Sequence, residues 1–312
     1  MNPFEAWPEL RYDDWSDTCA TLHLWTQVVG KVRLATTPWL NHGWHVALYV
    51  NARGLTTSPM PYGDLTFEMQ FDFLEHRLEC VLSDGRSARL DLAPGSVADF
   101  KSAVMDMLSG LRVPVTIRDY PCEIARARPF SEDHAHRAYD ADYAQRFWHA
   151  LVQIDRVFKQ FRTGFLGKSS PVHFFWGSFD LAVTRFSGRR APLHPGKAPG
   201  VAPAIMQEAY SHEVSSAGFW PGGNGVDASF YSYAYPEPAG FSTASVAPAA
   251  AHYSAALGEY LLPYEAIRSA GNADADLLKF LQSTYEAAAD NANWDRQALE
   301  CRTGRAGVCR PV

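Results

Sequence analysis

The sequence predicts an α+β protein, a duplicated helix–four-strand–helix unit with antiparallel sheets and outer helices. Three observations carry that expectation. Apolar residues at three-four spacing open and close each half of the 312-residue chain. Runs of apolar/polar alternation lie between those helices, as half-buried strands require. Turn residues separate the runs closely enough for hairpins, which makes the sheets antiparallel.

The first half covers residues 1–135. In TLHLWTQVVGKVRL, Leu22, Trp25, Val29 and Val32 form a helical stripe, with Lys31 and Arg33 outside it. WHVALYVNA follows as a strand with Val46, Leu48 and Val50 on one face. In LTFEMQFDF, Phe67, Met69, Phe71 and Phe73 point inward, while Thr66, Glu68, Gln70 and Asp72 take the other side. Asp84-Gly85 turns a hairpin between LECVL and SARLDL. Ser96, with Asp99 three residues on, caps a helix whose stripe is Phe100, Val104, Met107 and Leu111. The strand VPVTIRDY closes the half.

The second half covers residues 136–300. Its first helix carries Phe147, Leu151, Ile154, Phe158 and Phe161 through RFWHALVQIDRVFKQF. Strands follow in PVHFFWGSFDLAVTRF, AYSHEVSSAGF, ASFYSYAY and GEYLLPYEAI. The last helix starts near Asp274 and turns Leu277, Leu281, Tyr285 and Ala288 inward. The repeated element order, with LYVNARGLTTSP against LAVTRFSGRRAP as the best local parallel, suggests duplication. Residues 301–312, CRTGRAGVCRPV, lack apolar periodicity and read as a mobile tail. Two Pro/Gly/Ala-rich loops, 187–207 and 236–257, occur in the second half alone and border the strand carrying His212, which marks that face as the working one.

Composition narrows the function. A formal net charge of -6 argues against nucleic-acid binding, which needs a basic surplus. No apolar run reaches the roughly 20 residues that span a bilayer, so no membrane association is expected. The acidic, aromatic start MNPFEAWPELRYDDW is unlike a signal peptide, so the expected compartment is the cytoplasm. The five cysteines are an odd count: Cys19, Cys80 and Cys122 read as buried thiols, and Cys301 and Cys309 lack the CxxC spacing of a metal clip.

Several long motifs carry a resemblance: TLHLWTQVVGKVRL, HVALYVNARGLTTSPMPY, SPVHFFWGSFDLAVTRFSGRRAP, YSHEVSSAGFWPGG and FLQSTYEAAAD. With them the chain resembles an uncharacterised bacterial family of unknown function (domain of unknown function 5996), from Trp7 to about Leu299. The resemblance implies no established activity or cofactor. NHGWH departs from it at Gly43, where an aromatic is expected.

The densest chemistry lies between Lys168 and Gly223. His173, His212 and Glu213 supply two imidazoles and a carboxylate, the smallest set that holds a divalent metal with open positions, and His45 or Asp180 offers a further ligand. Against this, no HxH or HExxH occurs, and strand parity sends His212 and Glu213 to opposite faces. The alternative is that both histidines are buried and hydrogen-bonded. A metal-free reading stays on the same face. His212, Glu213 and Asp180 then serve acid–base catalysis. Arg185, Arg189, Arg190 and Lys197 capture an anionic group, beside a pocket walled by Trp176, Phe219, Trp220, Tyr231 and Tyr233. Ser178 in WGSFD has no GxSxG context, and SSAGFWPGGNG lacks a phosphate-loop ending. The expectation is therefore an enzyme for a small, anionic substrate, with divalent metal and metal-free versions both open. A metal-free small-molecule-binding protein is the alternative. YSYAYPEP offers a strand edge for a homodimer.

Overall fold

The computed structural model describes residues 5–223 and 225–310. Helix α1 (Tyr12–Thr36) leads, followed by short strands β1 (Tyr49–Val50), β2 (Gly54–Thr56) and β3 (Met60–Tyr62). A hairpin meander of β4 (Leu65–Asp72), β5 (Arg77–Leu82) and β6 (Ser87–Asp91) then runs into α2 (Val97–Gly110). After α3 (Ala141–Arg162) come β7 (His173–Phe175), β8 (Asp180–Arg190), a short α4 (Pro203–Ala209), β9 (His212–Gly223) and β10 (Val226–Tyr235). The chain finishes through β11 (His252–Ser254), β12 (Glu259–Pro263), α5 (Tyr264–Arg268), α6 (Ala273–Asn291) and α7 (Arg296–Leu299). The protein is α+β, as the patterning predicts.

The local chemistry explains the boundaries. Ser96 accepts a hydrogen bond from the Asp99 amide (3.1 Å) and starts α2, and Asp140 does the same for α3 from the Tyr143 amide (3.1 Å). Asp84-Gly85 closes the β5–β6 hairpin, with Gly85 at φ 90°. On α3 the whole predicted stripe from Phe147 to Phe161 is buried.

Two six-stranded antiparallel sheets result. The first runs β1-β2-β4-β5-β6, with β3 also on β4; the second runs β11-β12-β10-β9-β8-β7. Their edges meet at one residue pair: Leu48 and Phe174 exchange both backbone hydrogen bonds at 2.8 Å. Equal strand number does not extend to equal strand order, because the last hairpin of the second sheet folds back beside β10. The duplicated plan is not carried into the topology.

Four expectations need correction. Helix α1 is no outer helix with Lys31 and Arg33 in solvent: Leu24 to Arg33 are buried without interruption, and the helix touches α2, α3, β3 and β9. VPVTIRDY forms no ladder, since Pro114 lacks an amide proton and the segment drapes over a cavity instead of lying beside a strand. WHVALYVNA contributes only the short β1. The YSYAYPEP strand is an edge only beyond Ser232, because β12 covers Ser229 to Ser232. β10 pairs with β9 on one side and with β12 on the other, because the strand GEYLLP takes the place that alternation alone leaves blank. The tail, through residue 310, lies on the end of α3: the Cys301 amide bonds to Gly164 O (3.2 Å) and the Gly304 amide to Thr163 Oγ1 (2.9 Å). All five cysteines are free thiols.

Candidate functional site

The second sheet has two unlike faces, and strand parity decides which residues go where. Phe174, Leu181, Val183, Phe219 and Phe230 join the core. His173, Asp180, Thr184, Ser216, Tyr231 and Glu259 face the other way, into a cavity of about 530 Å³. That volume is within the usual range for small-molecule sites. Val201, Ile205 and Met206, from the long loop and α4, roof it, and His42, Gly43, Trp44 and Val46 close one side. Of the two long loops, 187–207 thus supplies the roof, whereas the cavity takes only the neighbouring turn residue Leu257 from the end of the other.

His42 ties that roof down. Its Nδ1 donates to the Ala209 carbonyl (2.9 Å), so its Nε2 is the acceptor for Lys168 Nζ (2.7 Å). Burial depresses its pKa, consistent with a neutral ring in that role.

Asp180 occupies the floor and is 6% exposed. It accepts from Ser178 Oγ and from the phenol of Tyr231, and burial raises its pKa. Tyr231 reaches it by crossing β9 at Gly218, its register partner. Only glycine permits that crossing: a Cβ at 218 would stand 2.5 Å from Tyr231 Cε1 and closer still to the phenol oxygen. Tyr233 stacks on Tyr231 (centroids 6.1 Å) and shares a 2.8 Å hydroxyl contact with Tyr210. Thr184 and Ser216 share another at 2.8 Å.

Two further carboxyl groups face the same space. Burial, reinforced by the charge of Asp180, pushes both Glu123 and Glu259 up to about 7. Glu123 is the more exposed of the two, and solvent screens its shift more than that of half-buried Glu259. Its position depends on α1: Gln27 Oε1 accepts from the Cys122 amide (2.8 Å), and Gln27 Nε2 donates to the Cys122 carbonyl (2.9 Å). His23 bonds the Gly177 carbonyl (2.9 Å), and Gly177 has no side chain to displace the Glu123 carboxyl packed against it. One helix therefore fixes both the loop bearing Glu123 and the turn before Asp180.

The sequence-predicted residues divide between faces. Asp180, His173 and Trp220 line the cavity. His173 is fully buried, with no hydrogen-bond partner on either ring nitrogen among the described residues, and burial drops it to about 3. His212 lies at the start of β9, 6.0 Å from the His42 ring and bonded to Ser211 Oγ (3.1 Å). Glu213 is turned to the opposite face, where it accepts from Ser187 (2.8 Å) and Arg189 (2.7 Å). His173, His212 and Glu213 thus do not converge. Among the described residues no group of three or more His, Cys, Asp or Glu side chains is placed to hold a metal ion.

The arginines also depart from expectation. Arg185 points into the helix layer, 3.5 Å from the Phe161 centroid and 4.4 Å from that of Tyr285, donating to Phe161 O (2.6 Å). Its alternation with Thr184 sends it away from the cavity. Arg189 is held by Glu213 and the end of α6, and Arg190 is exposed at the end of β8. Of the proposed aromatic wall, Tyr231, Tyr233 and Trp220 line the cavity, and Phe219 joins the core. Trp176 packs on Gly30, donates to Val46 O (2.7 Å) and lines a second, smaller cavity. Sequence reasoning missed Glu123 and Glu259. Glu259 carried a signal, a charged residue alternating with Tyr260 and Leu262 on a buried strand; Glu123, in an irregular loop, carried none.

Residues 7–301, including every residue of this cavity, match the model of the family of unknown function DUF5996. The chain belongs to that family. Neither the curated proteins nor the solved structures hold a match to it.

Proposed function

We propose that the cavity of this DUF5996 member is the active site of an enzyme that moves protons on a small molecule, without a metal. One observation carries the reading: three carboxyl groups, Asp180, Glu123 and Glu259, face a single aromatic-walled cavity, with two of them poised near neutrality. A carboxyl group at about 7 is present in both acid and base forms at physiological pH, the condition under which general acid–base catalysis is efficient. Asp180, held by Tyr231 and Ser178, lies beside the two glutamates with its own pKa raised by burial, and any charge it carries holds its neighbours in the protonated form.

The same chemistry revises the substrate class. The arginines expected to capture an anion face elsewhere, and the groups lining this cavity are carboxyls and phenols. A substrate presenting an amine or several hydrogen-bond donors suits them better than an anion.

Carbon-13 NMR of the carboxyl carbons tests the reading. At least one Glu resonance should titrate near pH 7 in the wild type and move down in Asp180→Asn. Every Glu titrating below about 5 would sink the assignment. Benzylamine serves as a first ligand probe: it should raise the melting temperature of the wild type and not that of Asp180→Asn.

A further inference from the structure

The second cavity, about 280 Å³, adjoins the first and shares Gly43, Val46, Glu123, Phe175, Val201 and Ile205 with it. Its character is different. Leu34, Ile117, Trp39 and Trp176 give it apolar walls, and the ammonium of Lys31 reaches its lining from α1.

Lys31 is 7% exposed, and among the described residues it forms no hydrogen bond and no ion pair. Its one close partner is the Trp176 ring, 5.6 Å from Nζ to centroid. Glu123, which lines the cavity, makes no ion pair with it. The Cys122 thiol is pushed up to about 11 by burial and is neutral. Arg118, at the same cavity, adds positive charge. A lysine this deeply buried, with no counter-charge beside it, is costly, and burial lowers its pKa accordingly. Nothing in the packing of α1 requires a cation at this position, since Leu and Met fill such helix positions without that penalty.

We infer that the second cavity is a binding site for a small organic carboxylate, whose anionic head is paired by Lys31 and Arg118 and whose apolar body lies along Trp39, Ile117 and Trp176. The inference does not depend on proton chemistry in the first cavity. Apolar walls select an organic anion over an inorganic one, because free phosphate would surrender its hydration to surfaces that return no hydrogen bonds.

Calorimetric titration of the full chain tests this with hexanoate, benzoate, their neutral counterparts hexanol and benzyl alcohol, and inorganic phosphate. At least one carboxylate should bind ten-fold or more tightly than its neutral counterpart. Lys31→Met should remove that preference, and Arg118→Gln, an exposed change with no folding cost, should weaken it about three-fold. Asp180→Asn should leave it intact, which separates this site from the first. Carboxylates binding no better than the alcohols, or Lys31→Met retaining wild-type preference, would overturn the inference. Phosphate matching the carboxylates would overturn the organic-anion assignment.

Discussion

Replacing Gly218 by alanine should dismantle the floor of the first cavity while adding only one methyl group. Gly218 faces Tyr231 across the β9–β10 ladder, and the phenol lies over it to reach Asp180. An alanine Cβ would stand 2.5 Å from Tyr231 Cε1 and nearer to the oxygen, so the ring must swing away. That motion breaks a hydrogen bond to a carboxylate, about 1.5–3 kcal/mol. It also spoils the 6.1 Å stack on Tyr233, roughly 0.5–1 kcal/mol. The expected loss is about 2–4 kcal/mol, read from urea unfolding by tryptophan fluorescence, with loss of benzylamine binding. In a Tyr231→Ala background the ring is gone, and the same change should cost under about 0.5 kcal/mol. A Gly218→Ala protein within about 0.5 kcal/mol of wild type would refute the reasoning, as would an equal cost in both backgrounds.

Other expectations follow from the same geometry. Arg185→Ala should cost about 3 kcal/mol, through lost stacking on Phe161 and Tyr285 and a lost bond to Phe161 O, yet leave benzylamine affinity unchanged; altered affinity would show that Arg185 serves the cavity. His173→Phe should be neutral or stabilising by up to about 1 kcal/mol in chemical denaturation, because the ring's nitrogens have no partners to lose, and a clear loss of stability would contradict that. The Glu259 carboxyl is raised from 4.5 to about 7, so its stabilising contribution is complete below pH 4.5 and is lost as pH rises through about 7. Histidines with lowered pKa values, such as His23 and His173, act in the opposite sense below pH 6.5, so the comparison is by difference. Relative to wild type, Glu259→Gln should gain stability between pH 5 and 8, by about 1 kcal/mol after allowance for cavity water. Parallel stability–pH curves would contradict the raised pKa.

Legibility in the sequence followed periodicity. The α3 stripe, the Ser96 cap and the Asp84-Gly85 hairpin are set by neighbours within a few positions, and their local patterns predict them. Asp180 and His173 stood out as polar residues on apolar strands, and both line the cavity. Position in the sheet was harder to read. Whether β10 is an edge depends on β12, some 30 residues later, and whether Lys31 meets water depends on Trp176 packed on Gly30. The site's electrostatics were least legible, because Glu123 reaches it through a loop held by Gln27, and no spacing links those residues. The arginines of β8 and its loop looked like one cluster in sequence, yet alternation and the bulge between Phe186 and Arg190 dispersed them.

The burial of α1 has a consequence for how the chain matures. Its hydrogen-bonding and stacking partners include Cys122, Trp176, Gly177 and Phe179, so much of what shelters this helix lies more than 90 residues downstream. During synthesis, Lys31, Arg33 and the tryptophans beside them emerge long before those partners exist. The early chain therefore carries this helix uncovered until the later segments follow. Fragments 1–135 and 136–312 produced separately should each lack a closed core, whereas co-expression should return a non-covalent complex with the native cavity.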